Sequence, residues 1–305
     1  MSAVRKTLHS NDMGENYTMM TWNVRGLGSP IKRQKIYSYL QRRGVHIACL
    51  QETHLGKGEA IKLQRRWRGK IYATESSAYA KGALIWIRAG TPLEVKNVKI
   101  DTEGRWVLLL GKLDGEEITM GSIYVPNQGQ LDFLCTLSLT LRDYATNNMI
   151  LGGDLNCVLD VNLDRSTPPL QGAPAHRIAK GLGEWMRNWQ LKDVWRIQHD
   201  NAKEFSFYSH MHDVHVRLDR FLCTDTICTA LTQTEYLGRT YSDHNPLRAV
   251  LTLSRERPPI PWWRLQPAAL TDPVFRESLQ THIMEYFEVN EGSTTSFGNE
   301  WEAFK

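Results

Sequence analysis

The sequence predicts an α/β fold, and three features of the chain indicate it. Apolar runs of strand length alternate with segments whose apolar residues recur at helical spacing. Several of these runs end on a polar residue, which is typical of strands whose ends lie at one edge of a sheet. The pair Asp114-Gly115 separates two of the runs and favours a tight β-hairpin turn.

The first half of the chain is predicted to begin with a strand, a helix and a second strand. Ile36 and Leu40, one turn apart, indicate the helix, and Gly44 is its stop signal. A basic segment follows, and further strands come after it. In order, the predicted strands are 17–24, 45–50, 70–75, 82–88, 106–111 and 117–125, and the helix is 31–43.

The second half is predicted to contain two more helices in the main body and a helix in the tail. Apolar stripes mark the first two at 131–144 and 178–189, and a third stripe follows a capping residue, Thr271. Strands are predicted at 149–154, 205–208, 216–221, 234–237 and 247–253, with 205–208 and 216–221 paired around a histidine-rich loop.

The domain organisation follows from changes in composition along the chain. Closely spaced prolines at 255–263 indicate a semi-rigid linker. We therefore expect a flexible leader at 1–16, a main domain at 17–254, and a proline-rich linker with a short helix at 255–305. The last residues carry no termination signal, which predicts that the chain is a piece of a longer protein.

The composition, with 41% hydrophobic and 23% charged residues, is typical of a soluble globular protein. No apolar run approaches the roughly 20 residues that span a membrane, and the first residues lack the apolar core of a secretory signal. The five cysteines include no C-x-x-C pair, which favours a reduced intracellular compartment. The net charge of +4 permits an acidic partner. Clustered cations at 32–33, 42–43 and 62–70 predict phosphate-facing surfaces, with solvated helix faces as the alternative.

Polar side chains stand at the ends of the predicted strands. They are Asn23, Glu52, Tyr124, Asp154, Asn156, Asp219, Asp243 and His244. We expect them to converge on one rim of a sheet, where several carboxylates would repel one another unless a cation lay among them. Carboxylate and amide oxygens suit Mg²⁺, whereas the chain has neither a Cys/His zinc pattern nor a phosphate-binding Walker loop. The sequence therefore predicts a magnesium site.

The stretch 150–156 ends an apolar run with two glycines and then presents Asp154 and Asn156. Alternation along an extended chain places these two side chains on one face. The glycines, Gly152 and Gly153, allow another group, such as a phosphate, to approach the backbone closely. An ordinary strand end followed by an Asp/Asn turn is the alternative for this stretch taken alone.

These residue types suit the hydrolysis of a phosphodiester. A metal ion bound at Glu52 would neutralise charge that grows on the phosphate oxygens. Asp154, with Asn156, would orient or deprotonate the attacking water. His244, held by Asp219, would donate to the phosphate and stabilise its charge in the transition state.

Six motifs occur along the chain in a fixed order. They are Thr21-Trp22-Asn23-Val24-Arg25-Gly26, Leu50-Gln51-Glu52-Thr53, Ile123-Tyr124-Val125-Pro126-Asn127, Gly152-Gly153-Asp154-Leu155-Asn156, Arg217-Leu218-Asp219-Arg220 and Ser242-Asp243-His244. Together they resemble the ordered motif set of the endonuclease/exonuclease/phosphatase superfamily over residues 17–253. The resemblance implies a DNase I-like, four-layer αββα sandwich, in which two mixed β-sheets pack face to face with helices outside.

Within that superfamily, the chain resembles the apurinic-like endonuclease domain of long interspersed (non-LTR) retrotransposon ORF2 proteins. Phe205-Ser206-Phe207-Tyr208-Ser209, then a short loop and Arg217-Leu218-Asp219, resembles the β-hairpin that presents a loop to DNA. The tail at 262–305 resembles the segment that links endonuclease to reverse transcriptase. The hairpin loop departs from the family in being rich in histidine, so the target preference does not follow from the resemblance.

The resemblance implies a role for each residue of the rim. The metal ligands would be Glu52, with Asn23 nearby, and Asp243, with Mg²⁺ as cofactor and Mn²⁺ as a substitute. The catalytic residues would be Asp154, Asn156, His244, Asp219, Tyr124 and Asn23, with Tyr124 and His244 contacting the phosphate. DNA contacts would come from Arg25, Ser206, Arg217, Ser242, His210, His212 and His215. The two glycines before Asp154 would then give clearance for a DNA phosphate.

The expected function is Mg²⁺-dependent nicking of one strand of duplex DNA, leaving a 3′-hydroxyl that a reverse transcriptase extends. The expected partners are double-stranded DNA and, in the full-length protein, a reverse transcriptase domain and the element RNA. A monomer is expected, synthesised in the cytoplasm and acting in the nucleus, with no membrane partner. An abasic-site repair endonuclease and a non-catalytic nucleic-acid-binding module are the alternatives.

Two weaker patterns have alternatives of their own. Gln280, Ile283, Tyr286 and Phe287 have the spacing of a sliding-clamp-binding motif, although an amphipathic helix that packs on its own protein gives the same pattern. The histidines of the hairpin loop could bind a metal ion by their spacing, but a DNA-facing or solvated loop explains them more simply.

Overall fold

The apolar runs of the sequence form strands in the computed structural model, which describes residues 15–75, 81–211, 213–253 and 273–290. In chain order the strands are β1 (Glu15–Asn23), β2 (Ile47–Gln51), β3 (Gly69–Ala73), β4 (Ala83–Arg88), β5 (Leu93–Ile100), β6 (Trp106–Leu113), β7 (Glu116–Tyr124), β8 (Met149–Asp154), β9 (Lys192–Asp193), β10 (Phe207–Ser209), β11 (Val214–Val216), β12 (Asp219–Cys223), β13 (Leu231–Tyr236) and β14 (Leu247–Leu253). The helices are α1 (Pro30–Arg42), α2 (Glu59–Arg66), α3 (Gln130–Tyr144), α4 (Pro174–Asn188), α5 (Val194–Gln198), α6 (Asp225–Ala230) and α7 (Pro273–Asn290).

Most of the strands belong to two six-stranded sheets. The strand order is β13-β14-β1-β2-β4-β3 in the first sheet and β5-β6-β7-β8-β12-β9 in the second. Each sheet has one parallel pair, β1 with β2 and β7 with β8, and its other pairs are antiparallel. A parallel pair needs a crossover, which α1 and α3 provide. The predicted pair of mixed sheets is confirmed.

Within the described part of residues 15–253, three large apolar layers pack the two sheets against each other and against helices. Met19, Ile150 and Phe221 are part of the layer between the two sheets. The next residue along β1, Met20, lies in the layer that α1 and α2 form against the first sheet. A third layer packs α3 and α4 against the second sheet. Because both faces of the central strands are covered, they appear in the sequence as continuous apolar runs.

The hairpin between β6 and β7 turns at the Asp-Gly pair, as predicted. Asp114 and Gly115 have φ angles of 53° and 89°, the left-handed values that a two-residue hairpin turn requires. The pairing runs from Leu113 opposite Glu116 to Trp106 opposite Ile123. The turn therefore sets the register of both strands as far as the rim that carries Tyr124.

The structure differs from the predicted elements in several places. Helix α2 occupies part of the basic segment and β5 follows β4, and neither was predicted. The predicted strand 216–221 is divided, because Val214–Val216 pairs with β10, whereas Asp219–Cys223 pairs with β8. The chain passes from a small hairpin to the second sheet between these two strands.

The predicted domain boundaries remain a prediction. Strand β1 begins at Glu15, and the predicted cap Thr271 lies outside the described residues. The helix α7 carries the proposed clamp-binding residues, and that interpretation also remains a prediction. No helix in the described parts of the chain is long and apolar enough to cross a membrane.

Candidate active site

The ends of β1 and β8 meet at one rim, where a buried amide joins two carboxylates. Asn23 Nδ2 donates to Glu52 Oε1 and to Asp154 Oδ2, at 2.9 Å each. Asn23 ends a strand of the first sheet and Asp154 ends a strand of the second. The amide therefore connects the two sheets at the point where their polar strand ends come together.

A third carboxylate and an imidazole complete the buried part of the site. The register of β8 and β12 places Asp219 opposite Asp154. His244 Nδ1 lies 2.7 Å from Asp219 Oδ2, and His244 Nε2 lies 4.0 Å from Asp154 Oδ2. The backbone carbonyl of His244 accepts a hydrogen bond of 3.0 Å from Trp22 Nε1. The imidazole is thus fixed between the two carboxylates.

Burial and charge shift the acid–base properties of these groups in opposite ways. Burial, with the nearby charge of Asp219, raises the pKa of Asp154 to about 6. Burial alone would lower the pKa of His244, but the carboxylates of Asp219 and Asp154 raise it to about 9. At neutral pH the site therefore combines an ionised Asp154, able to accept a proton, with an imidazolium at His244.

Tyr124 stands beside Asp154, because β7 and β8 pair in parallel with these two residues in register. Burial and the neighbouring carboxylate of Glu52 raise the pKa of the Tyr124 phenol. The phenol therefore stays neutral and can donate a hydrogen bond. The guanidinium of Arg105 lies 4.9 Å from the centre of the Tyr124 ring.

Arg105 was not among the predicted site residues. Its backbone carbonyl accepts a 2.7 Å hydrogen bond from the Tyr124 N–H, so it continues the β6–β7 pairing by one step. The Asp-Gly turn could have revealed it, because counting the register back from Asp114 and Gly115 places residue 105 opposite residue 124.

Backbone strain is concentrated at the same rim. Glu52 and Asn156 have φ angles of 50° and 47°, values that residues other than glycine seldom adopt. Asn156 N donates to Asp154 Oδ1 at 3.0 Å, and Asn156 Nδ2 donates to the carbonyl of Val125 at 2.8 Å. The Asp/Asn turn that the sequence offered as the alternative for this stretch is present. It also fixes the orientation of the Asp154 carboxylate.

The loop that carries His244 is fastened to β1. Ser242 Oγ donates to the carbonyl of Asn23 at 2.7 Å and accepts from the His244 N–H at 3.3 Å. Arg25 Nη1 lies 3.0 Å from Asp243 Oδ2, and both side chains are reached by solvent. Ser242 thus positions the loop, while Arg25 neutralises a predicted metal ligand.

The residues predicted to hold a metal ion fit a hard cation. The side chains of Glu52 and Asp243 are 22% and 26% exposed, so a cation can reach them from solvent. Both offer carboxylate oxygens, the donors that Mg²⁺ prefers. Asp154, Asp219 and His244 also bring ligand atoms within 4.8 Å of one another. That cluster is better described as a hydrogen-bonded pair with a neighbouring carboxylate, because Nδ1 of the imidazole is bonded to Asp219 and Asp154 lies 4.0 Å from Nε2.

A second histidine lies near the predicted metal ligand. His54 Nε2 is 3.6 Å from Glu52 Oε2. The sequence pattern does not distinguish His54 from an ordinary surface histidine. Its backbone, like that of Glu52, is left-handed, with a φ of 53°.

The prediction that Arg217 contacts DNA is wrong. Its side chain is fully buried, and its guanidinium pairs with Asp164 at 2.8 Å and with Asp193 at 2.7 Å. A guanidinium enclosed between two carboxylates is not available to a phosphate, so Arg217 supports the structure beneath the site.

The prediction that Ser206 contacts DNA is wrong as well. Its side chain is buried, and Ser206 Oγ accepts hydrogen bonds from the N–H groups of Leu218 at 2.9 Å and Asp219 at 3.1 Å. The hydroxyl therefore holds the start of β12. His210 and His215 are exposed on the hairpin and remain candidates for DNA contact, whereas His212 lies outside the described residues.

The interpretation of the two glycines as clearance for a phosphate is also wrong. A Cβ atom at Gly152 would lie 2.7 Å from Phe221 Cε1 and 3.1 Å from Cys49 Cβ. A Cβ atom at Gly153 would collide with the carbonyl of Ile123. Both glycines are buried within the sheets, so they allow close packing between protein segments and face no ligand.

The chain is 23% identical over 269 residues to the transposon TX1 uncharacterized 149 kDa protein of Xenopus laevis, covering 86% of the chain and 20% of that protein. The chain thus spans about a fifth of the length of this relative.

Two solved structures share the fold. An AP endonuclease from Leishmania major matches with a TM-score of 0.63 and 19% identity, over 83% of this chain and 93% of that one. An AP endonuclease from Archaeoglobus fulgidus matches with a TM-score of 0.63 and 20% identity, over 78% of this chain and 100% of that one. At these identities the likeness concerns the fold.

The family model of the endonuclease/exonuclease/phosphatase family matches residues 20–244, which include Asn23, Glu52, Asp154 and His244. It therefore covers both sheets from β1 to the loop before β14. The chain belongs to the endonuclease/exonuclease/phosphatase family.

Proposed function

We propose that this domain is a divalent-metal-dependent endonuclease that nicks one strand of duplex DNA and leaves a 3′-hydroxyl. One observation carries the proposal. The His244–Asp219 pair faces Asp154, and Asn23 connects Asp154 to the solvent-accessible carboxylate of Glu52. A proton acceptor, a fixed cation and a metal-binding carboxylate thus share one rim, which is the equipment of phosphodiester hydrolysis.

The side chains of the rim have complementary tasks in this reaction. Asp154, oriented by Asn156, accepts a proton from the water that attacks phosphorus. The bond from phosphorus to the 3′ oxygen breaks, so this oxygen takes up a proton from solvent and leaves as a 3′-hydroxyl, while the phosphate stays on the 5′ oxygen of the downstream fragment. His244, as an imidazolium, and Tyr124, as a neutral phenol, donate to the phosphate oxygens. A divalent cation at Glu52 and Asp243, expected to be Mg²⁺ with Mn²⁺ as substitute, would supply further charge neutralisation.

We further propose a retrotransposon setting for the nick. The similarity to the transposon TX1 protein supports it, and so do the two motif stretches that resemble retrotransposon endonucleases. In that setting the 3′-hydroxyl primes reverse transcription by a separate domain that uses the element RNA as template. The endonuclease acts as a monomer in the nucleus after synthesis in the cytoplasm.

Relaxation of supercoiled plasmid in Mg²⁺ tests the activity. The wild-type protein should convert supercoiled to open-circular DNA. Asp154→Asn and His244→Gln should each slow this by about 10²- to 10⁴-fold, the usual contribution of a positioned acid or base. Asp225→Asn, at an exposed aspartate remote from the rim, is the matched control and should nick as the wild type does. Failure of the wild type to nick, or full activity of Asp154→Asn, would contradict the proposal.

The nature of the ends and of the target separates this proposal from its alternatives. Extension of the nick by a DNA polymerase without prior treatment would confirm a 3′-hydroxyl. A preference of several orders of magnitude for an abasic duplex over an intact one would favour a repair endonuclease. Salt-sensitive binding without any cutting would favour a non-catalytic binding module.

A further inference from the structure

A basic groove lies between α1 and α2, beside the active-site rim. It has a volume of about 490 Å³, and its lining includes Arg33, Glu59, Lys62, Arg65, Arg66 and Trp67. One wall is formed by the segment for which the sequence predicts phosphate-facing cations, with a solvated helix face as the alternative. Folding of this segment into α2 gathers several cations along one wall.

The charges of the groove do not cancel. Arg33 Nη2 pairs with Glu59 Oε1 at 2.6 Å, and Arg33 Nε donates to the carbonyl of Leu27. The charges of Arg33 and Glu59 therefore neutralise each other, and both contacts hold the Arg33 side chain in place. Lys62, Arg65 and Arg66 are exposed and make no ion pair with the described residues. The groove therefore carries uncompensated positive charge above a rigid base.

The chain connects this groove directly to the rim. The segments that follow β1 and β2 run side by side, because Gly26 N donates to the Glu52 carbonyl at 2.6 Å and Leu27 N to the Thr53 carbonyl at 2.8 Å. The first segment leads to α1 and the second to α2. Arg25, 66% exposed, lies on the first segment between Asn23 and the groove. A cationic side chain thus lies on the segment that joins the rim to the groove.

The distances suit the backbone of a DNA duplex. The start of α1 is seven residues after Asn23, a span of at most about 25 Å. Lys62 is ten residues after Glu52, a span of at most about 35 Å. With phosphates spaced by about 3.4 Å of helix axis per strand, the groove lies within about one turn of duplex from the rim.

We propose that the α1–α2 groove binds the phosphate backbone of the DNA duplex on one side of the nick, within about one helical turn. This inference rests on the proposed function and adds the path of the substrate. Duplex DNA is the occupant because it presents phosphates at regular spacing on a stiff path that continues from the scissile bond. Lys62, Arg65 and Arg66 displace counterions from it, which contributes binding free energy at all sequences.

Salt dependence of binding tests the contact. The triple variant Lys62→Gln/Arg65→Gln/Arg66→Gln removes the exposed charges, and Arg177→Gln/Lys180→Gln/Arg187→Gln on α4 removes an equal number of exposed charges elsewhere. Fluorescence anisotropy of a duplex that carries the nick site is measured in EDTA over a salt series. The slope of log affinity against log salt should fall by about 2 to 3 in the α2 variant and stay near the wild-type value in the α4 variant.

Duplex length provides the second measurement. In Mg²⁺, the wild type should lose nicking rate when the duplex is cut back to fewer than about 10 base pairs on one side of the nick, but not on the other. The α2 variant should be slow on long duplexes and insensitive to this truncation. Equal slopes of log affinity against log salt in the α2 and α4 variants would overturn the inference about the groove. The proposed function would still stand in that case if the wild-type protein nicks DNA. If the α2 variant lost affinity for RNA but kept the wild-type affinity for DNA, the inference would also be overturned.

Discussion

His244 shows how a single side chain acquires its chemistry from its neighbours. In water an imidazole has a pKa near 6.5 and would be mostly neutral at physiological pH. Here Asp219 bonds Nδ1 at 2.7 Å and Asp154 lies near Nε2, so the protonated form is favoured despite burial. In the proposed reaction, the proton on Nε2 would then be available to a phosphate oxygen, and the positive charge would be present before the substrate binds.

This shift predicts a pH-dependent contribution of His244 to stability in the metal-free protein. A group whose folded-state pKa is raised stabilises the fold below its unfolded-state pKa of about 6.5, and this stabilisation is lost as the pH rises through about 9. The difference in unfolding free energy between wild type and His244→Gln should therefore shrink by on the order of 2 kcal/mol from pH 7 to pH 9.5. Urea unfolding in EDTA measures it, and an unchanged difference would show that the imidazolium is not stabilised.

Arg25 and Asp243 form an ion pair that a cation at the proposed metal site would disturb. The distance between Arg25 Nη1 and Asp243 Oδ2 is 3.0 Å, and the exposure of both side chains makes the pair weak. We propose that a metal ion at Asp243 would compete with the guanidinium, which would then be free to turn toward a DNA phosphate. The pair would in this way couple occupation of the proposed metal site to contact with the proposed substrate.

Removal of the arginine should consequently tighten metal binding. An exposed pair contributes about 0.2–1 kcal/mol, so Arg25→Gln should lower the dissociation constant for Mg²⁺ by up to about fivefold in the absence of DNA. Calorimetric titration with Mg²⁺ measures this. Arg42→Gln removes an exposed charge on α1 that does not contact Asp243 and should leave the constant unchanged. Weaker binding to the Arg25→Gln protein would contradict the competition.

At the scale of elements, β12 is held in place by buried charges beneath the active site. The network contains two carboxylates and three guanidinium groups, Asp164, Asp193, Arg196, Arg217 and Arg220. Asp164 is central, since it accepts from three arginines at 2.8 Å each. Arg220 also donates to the carbonyls of Cys157 and Leu218. These bonds fasten the start of β12, and with it Asp219, to the loop after Asp154.

Asp164→Asn should therefore destabilise the protein strongly. Removing one partner of a buried pair leaves uncompensated charge and costs about 3–5 kcal/mol. Burial would raise the pKa of Asp164, but Arg220 and Arg217 hold it well below its usual range. The stabilisation is complete above the unfolded-state pKa of about 4 and is lost as the pH falls through the folded-state value, so the effect of the substitution should diminish in acid.

Denaturant unfolding at pH 7 and at pH 3 measures both parts of this prediction. Asp225→Asn is the matched control, because Asp225 also pairs with a cation, Lys192, but at an exposed position. It should change stability little at either pH. Equal effects of the two substitutions would show that the buried network contributes no more than a surface pair.

At the scale of the whole molecule, the two sheets meet through apolar packing with a polar link near the rim. Gln51 ends β2 in the first sheet, and its Nε2 donates to Thr21 Oγ1 at 3.2 Å and across to Ser122 Oγ of the second sheet at 3.1 Å. Gly152 lies close by and allows Phe221 and Cys49 to approach. The spacing between the sheets sets whether Asn23 can reach both Glu52 and Asp154.

A side chain at Gly152 should disturb this spacing. An added Cβ meets Phe221 at 2.7 Å and Cys49 at 3.1 Å, so Gly152→Ala should cost about 1–3 kcal/mol through overpacking and reduce nicking. Gly238→Ala is the control, because a Cβ there meets nothing within 4 Å. Thermal unfolding and plasmid relaxation measure the two effects. Wild-type stability in Gly152→Ala would show that the sheets tolerate a wider gap.

Parts of the structure that depend on local periodicity could be predicted from the sequence. The β6–β7 hairpin followed from its Asp-Gly turn, and the strand-end residues followed from apolar runs that stop at a polar side chain. Helix α2 and strand β5 were missed because their short segments are rich in charge and each buries one apolar side chain, Leu63 in α2 and Leu93 in β5. Arg217 was misplaced because arginine is seldom fully buried, and its burial here depends on Asp164 and Asp193.

The sequence by itself determined which chemical groups stand at the strand ends and in what order, because turn residues and strand periodicity act over a few neighbouring residues. Only the tertiary structure decided how those groups meet. Asn23 and Asp154 are 131 residues apart in the chain, and their contact depends on the packing of two separate sheets. The same packing assigned Gly152 to the interior and Arg217 to a buried ion network, because burial and partners at such distances are properties of the assembled layers.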